Sequence, residues 1–208
     1  MNRILIYGVG VNDADYAVTM YEEVGDVKRK QVWICPFYQK WRSMLRRCYG
    51  KSFVTKNPTY IRCSVTKEWL VFSNFKSWME KQDWEGKELD KDLLFPGNKI
   101  YSPETCVFVD SVINTFVIEC NKSRGEWPIG VYWDKQKQKF RTQCSNPSTG
   151  DRGYLGVFDD PQEAHQVWLT RKLELAKLLA DEQTDPRIAK ALIERYESYG
   201  KEKTYEPS

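Results

Sequence analysis

The stretch that most constrains this chain lies between residues 130 and 181. Phe140, Thr142 and Cys144 alternate with Arg141, Gln143 and Ser145. That period of two belongs to a strand buried on one face. The segment before it, GVYWDKQKQK, and the segment after it, YLGVF, read as two more short strands. The run PQEAHQVWLTRKLELAKLLADEQ that follows has helical patterning. A sheet with one apolar face needs a cover, and this helix supplies it. The expected core is Phe140, Leu155, Phe158, Ala164 and Trp168. The opposite face is left basic and polar, with side chains able to hydrogen-bond bases and neutralise phosphate. A sheet this small is narrow enough to enter a major groove.

Gly130-Val131, Phe140 to Cys144, Leu155-Gly156-Val157-Phe158 and Glu163-Ala164 occur in one order and spacing. With that set, residues 127–180 resemble the AP-two (ethylene-response-factor-like) DNA-binding domain, which also occurs in phage HNH homing endonucleases. The resemblance implies a three-stranded antiparallel sheet packed on a helix, with double-stranded DNA as partner. The family's DNA-facing positions fall on Tyr132, Arg141, Gln143, Ser145, Arg152 and Tyr154. The hairpin tip adds Lys135, Lys137 and Lys139. Tyr132, Asp134 and Ser145 thin out the family's arginines, and the tip lacks its tryptophan-glycine pair, so the family's sequence preference does not carry over. The competing reading is an ordinary solvated face, because a fold alone does not fix function.

The chain has 208 residues, enough for one large domain or two small ones. Hydrophobic residues make up 41%, enough for a packed core. Net charge is only +3, from 32 basic and 29 acidic residues, so local clustering has to carry any nucleic-acid reading. No apolar run reaches membrane-spanning length. The expectation is a soluble protein with no membrane partner, in the cytoplasm of a bacterial host cell. Cysteines 35, 48, 63, 106, 120 and 144 form no Cys-x-x-Cys pair. Free buried thiols are expected rather than disulfides. A structural zinc on Cys48, Cys63 and Cys106, with Cys35 as a fourth ligand, is the alternative. The wide spacing of these cysteines argues against it.

Residues 4–9 read as a strand. Gly8-Val9-Gly10 after it reads as a turn, since the third glycine of a dinucleotide loop is missing. Residues 36–49 read as a helix opened by Pro36, with Phe37, Trp41, Met44, Leu45 and Cys48 as its apolar stripe. Lys40, Arg42, Arg46 and Arg47 lie off that stripe, and at least half of them are expected to be solvated. A short strand is expected in KNPTYIRCSV. A second helix, from residue 67 or 68 to 81, carries a heavily aromatic core.

Residues 89–116 combine LDKDLL, a Gly-Asn loop, a strand over 106–109 and a helix start at Asp110 or Ser111. This order, with W-x-x-M-x-x-R-C-Y upstream, resembles the ββα-metal module of phage HNH nucleases. In that family an acid and an asparagine or histidine hold a divalent metal, magnesium or manganese, and a histidine deprotonates the attacking water. Here the acid position falls on Asp90, the histidine position on Lys91 and the asparagine position on Thr105. Asp92 and Glu104 offer further hard oxygen ligands, and capping of a hairpin turn is the competing reading of Asp90 and Asp92. The single histidine, His165, lies far away in the tail helix. A protonated lysine cannot serve as the base. The fold class expected is therefore α+β. A degenerate HNH-like ββα-metal module with added helices occupies 1–123. An AP-two-like module with its C-terminal helix occupies 127–200, and 201–208 form a tail. In the tail helix Asp185-Pro186 is a capped start, and Ile188, Leu192 and Tyr196 form its buried stripe. The function expected is DNA binding without cleavage, in a protein of phage or mobile-element origin. An active endonuclease is the first alternative. A protein that inhibits or recruits a host protein is the second. The oligomeric state is open.

Overall fold

The computed structural model describes residues 5–24, 28–117 and 126–201. It divides into two compact units, Met1–Val109 and Asp110–Ser208. The sequence places the link later, at about 120–128. Residues 118–125, with Cys120, lie outside the described residues.

The first unit is built on aromatic packing. Helix α1 (Pro36–Tyr49) starts at Pro36, and its Tyr38, Trp41, Met44 and Leu45 are buried. They pack with Trp69, Phe72, Phe75 and Met79 in one core. Trp41 Nε1 donates to the Trp69 carbonyl at 2.7 Å. Helix α2 (Lys51–Lys56) follows directly. The helix expected from 67 or 68 to 81 is two pieces: a 3-10 turn at Glu68–Leu70 and helix α3 (Phe72–Met79). Val71 breaks it because it is extended, with φ −98° and ψ 126°. It bridges Val11, and Phe72 N–H donates to the Val11 carbonyl. A tertiary bridge has overridden local helix propensity.

The strand expected over 4–9 is instead a tight turn. Ile6 bridges Gly10 around Tyr7 and Gly8, whose φ values are 51° and 80°. A Cβ on Gly10 would stand 2.4 Å from Leu45, so the turn seats against α1 through a bare glycine. Ile4 lies outside the described residues. Strands β1 (Thr19–Val24) and β2 (Lys28–Ile34) form an antiparallel ribbon in which Glu22 faces Lys30 and Glu23 faces Arg29. Strand β3 (Ser64–Val65) pairs in parallel with β5 (Ile100–Tyr101), and β4 (Glu88–Asp90) pairs antiparallel with β6 (Val107–Val109).

The second unit opens with helix α4 (Ser111–Val117). Strands β7 (Val131–Asp134), β8 (Lys139–Ser145) and β9 (Arg152–Phe158) form one antiparallel sheet in the order β7-β8-β9. Helix α5 (Pro161–Asp181) covers the sheet and packs on α6 (Pro186–Lys201). Asp160 caps α5 by accepting from Gln162 N–H, and Asp185 accepts from Arg187 N–H at the start of α6. Ile188, Leu192 and Tyr196 are buried as expected. Phe116 and Val117 carbonyls in the last turn of α4 accept from Lys172 Nζ, Tyr196 Oη and Arg195 Nη2. Helix-end carbonyls lack intrahelical partners, and cations suit that end.

No helix among the described residues is long and apolar enough to cross a membrane. The class is α+β, with the three-stranded antiparallel sheet and covering helix in place. The strand pair β4–β6 and a following helix also occur in the expected order. That helix, α4, falls in the second unit.

Candidate nucleic-acid interface

Cross-strand partners share a face of a sheet. Tyr132 lies opposite Arg141, and Asp134 opposite Lys139. Gln143 lies opposite Tyr154, and Ser145 opposite Arg152. Thr142, fully buried, lies opposite Gly156, and Phe140 opposite Phe158. Strict alternation along β9 would put Tyr154 and Phe158 on one face, since they are four residues apart. The register shifts between Thr142 and Gln143, which leaves Leu155 unpaired. This bulge turns Tyr154 outward and Phe158 inward. Among the core residues expected here, Phe140, Ala164 and Trp168 are buried, while Leu155 and Phe158 are only half-buried.

The outer face gathers cations around two tyrosines. The Arg141 guanidinium lies 5.8 Å from the Tyr132 ring centroid and 5.1 Å from that of Tyr154. Both rings are exposed, Tyr154 by 52%. Lys137 Nζ is 5.8 Å from the Tyr154 ring, and Tyr132 Oη donates to Gln143 Oε1 at 3.4 Å. Lys135, Lys137, Ser145 and Arg152 are exposed. Lys139 is tied to Asp159 at 3.0 Å. Gln143 and Ser145 also border a cleft of about 460 Å³ whose walls include Thr115, Trp168 and Lys172. All nine residues expected on this face lie on its strands or at its hairpin tip.

Gly130 holds this sheet against its helix. Its φ is +81°, and a Cβ there would stand 2.2 Å from Trp168 Cδ1. Its carbonyl accepts from Thr142 Oγ1 at 2.8 Å, and the Ile129 carbonyl lies 2.9 Å from Nδ1 of the buried His165. The chain's single histidine therefore sits in the packing behind the sheet.

The nuclease-like positions are engaged otherwise. Asp90 Oδ1 accepts from the backbone N–H groups of Asp92 and Leu93 at 2.8 and 2.6 Å. That is turn-capping, which aspartate does well. Burial, then the neighbouring Asp92 carboxylate, push the Asp90 carboxyl above its ordinary range. Lys91 is buried and pairs with Asp92 at 3.0 Å. Thr105 Oγ1 donates to the Ile100 carbonyl at 2.8 Å, and Glu104 is exposed. Among the described residues no group of three or more His, Cys, Asp and Glu side chains is arranged to hold a metal ion. Cys48 lies near enough to Cys63 and to Cys106 to feel their charge. Burial is the main cause that pushes the Cys48 and Cys106 thiols up to about 12. Of the four helix α1 cations, Arg42 and Arg46 are exposed, while Lys40 and Arg47 donate to the carbonyls of Lys87 and Leu89.

Sequence reasoning left two acids of the interface without a role. Asp134 caps the hairpin turn by accepting from Gln136 and Lys137 N–H, and Asp159 restrains Lys139. An aspartate entering a tight turn is the signal for the first. Nothing in the spacing signals the second.

Comparison with family models, curated proteins and solved structures finds no match. The resemblances to the AP-two and HNH families rest on the residues quoted for them.

Proposed function

We propose that the second unit binds double-stranded DNA through the outer face of its sheet, and that the chain does not cut what it binds. The observation that carries this reading is Arg141, set between Tyr132 and Tyr154 on a face that also presents Lys135, Lys137 and Arg152. A planar guanidinium on such a face can reach guanine O6 and N7 as a bidentate donor. The surrounding lysines suit phosphate. The HNH resemblance gives Lys91 the position where a nuclease would need a base, and Lys91 is paired with Asp92. An origin in a phage or mobile-element homing endonuclease fits this combination.

The test is full-length protein with labelled duplexes and with supercoiled plasmid, each with and without magnesium or manganese. Retention of intact duplex is expected. Arg141→Ala should weaken it by about 1–3 kcal/mol if the side chain reads a base. An Arg141→Ala protein of unchanged affinity would remove the face from the reading. Plasmid nicking that Asp90→Ala abolishes would replace the binding protein with a metal-dependent endonuclease.

A further inference from the structure

Asp134 and Arg141 share the outer face, diagonal to each other across β7 and β8. Asp134 divides its carboxylate between two tasks. Oδ1 accepts both turn N–H groups, from Gln136 at 3.0 Å and Lys137 at 3.1 Å. Oδ2 accepts no hydrogen bond from the described residues and stands 3.9 Å from Arg141 Nη1. That separation is too long for a hydrogen bond. Arg141 donates no side-chain hydrogen bond to the described residues either, and its Nε is buried without a partner among them. A guanidinium and a carboxylate thus stand side by side with their hydrogen-bonding capacity toward each other unspent.

A G·C pair presents the complementary array in the major groove: acceptors N7 and O6 on guanine, then the N4 donor on cytosine. O6 and N4 are joined by the Watson–Crick hydrogen bond, so they lie about 2.9 Å apart. The free O6 lone pair and the free N4–H diverge from that bond. A donor and an acceptor engaging both therefore stand further apart than the 3.9 Å between Arg141 Nη1 and Asp134 Oδ2, and the long Arg141 side chain has to swing outward to reach guanine. We infer that Arg141 and Asp134 act as one reading unit for a single G·C pair, Arg141 donating to guanine and Asp134 Oδ2 accepting from cytosine N4. This rests on the DNA-binding reading above and makes Asp134 a specificity-determining residue.

Asp134→Asn separates the two tasks. The amide oxygen can still accept from the turn N–H groups, while the acceptor at the Oδ2 position becomes an N–H donor. The experiment selects full-length protein on duplexes with a randomised window, sequences the bound pool, and measures affinity for single-pair variants of the selected site. The wild type should fix one G·C pair. Asp134→Asn should lower the preference for cytosine there by about ten- to a hundredfold. Arg141→Lys, which keeps the charge and loses the fork, should relax the same position. An Asp134→Asn protein that selects the same pair with the same preference overturns the inference, as does one that gains affinity for every sequence alike. Either result leaves the DNA reading standing. A wild-type protein that retains no duplex at all removes both.

Discussion

Gly130→Ala should be among the most damaging single-methyl changes in the second unit. Two costs add. The backbone at Gly130 is left-handed, with φ +81°. An L-residue pays about 1–2 kcal/mol to adopt it. The new methyl would also stand 2.2, 2.3 and 2.5 Å from three atoms of the Trp168 indole. That ring has little room to retreat, since it stacks on His165 at 5.8 Å and meets Tyr196 edge-on at 6.4 Å. Overpacking of this kind costs about 1–3 kcal/mol. The sum, about 2–5 kcal/mol, is a large part of the stability of a small domain. Gly150 supplies the control. Its φ is +75°, yet a Cβ there meets nothing within 4 Å. Gly150→Ala should show the backbone cost alone. Hydrogen exchange on helix α5 in the full chain reads the effect locally, with duplex affinity as the functional companion. Equal destabilisation by the two substitutions would refute the packing of Gly130 against Trp168.

Lys137→Ala should weaken binding to all duplexes alike and reduce the slope of log affinity against log salt by about 0.9, as loss of one phosphate contact does; an unchanged slope would place Lys137 off the backbone. Asp185→Ala should cost about 1 kcal/mol by removing the cap of α6, read as a lowered melting temperature. The Asp185 carboxyl is held below its ordinary range chiefly by the Arg187 hydrogen bond. A depressed folded value means that its stabilisation is complete above the unfolded value of about 3.9 and fades as pH falls through the folded one. The melting difference between wild type and Asp185→Ala should therefore hold at pH 6 and shrink below about pH 4.

Residue patterning reveals the second unit better than the first. Phe140, Thr142 and Cys144 alternate, and the structure buries all three. The capped start at Asp185-Pro186 and the stripe through Leu192 are equally local signals, and both hold. The bulge at Leu155 is legible only indirectly, as a conflict between an outward Tyr154 and an inward Phe158 that strict alternation cannot satisfy. In the first unit the failures come from long-range pairing. Val71 is an ordinary residue in a helical pattern until Val11 draws it into a bridge. The ribbon β1–β2 escapes notice because neither strand buries one face, so no period of two marks it. Asp90 caps a turn, as an aspartate at a hairpin suggests, whereas nothing in the spacing signals the pairing of Lys91 with Asp92.

The half-buried Cys48 and the buried Cys106 of the first unit have a practical consequence for reactivity. Only a thiolate attacks alkylating reagents or disulfides. At pH 8 an ordinary cysteine, with a pKa of about 8.5, is roughly one-quarter ionised. With their thiols pushed up to about 12, Cys48 and Cys106 are ionised to only about one part in ten thousand at that pH. Iodoacetamide should pass over them in the native chain and modify them once denaturant opens the core. The ratio of the two labelling rates then gives the fraction of molecules in which the first unit is open, without any need for a ligand or an enzymatic assay.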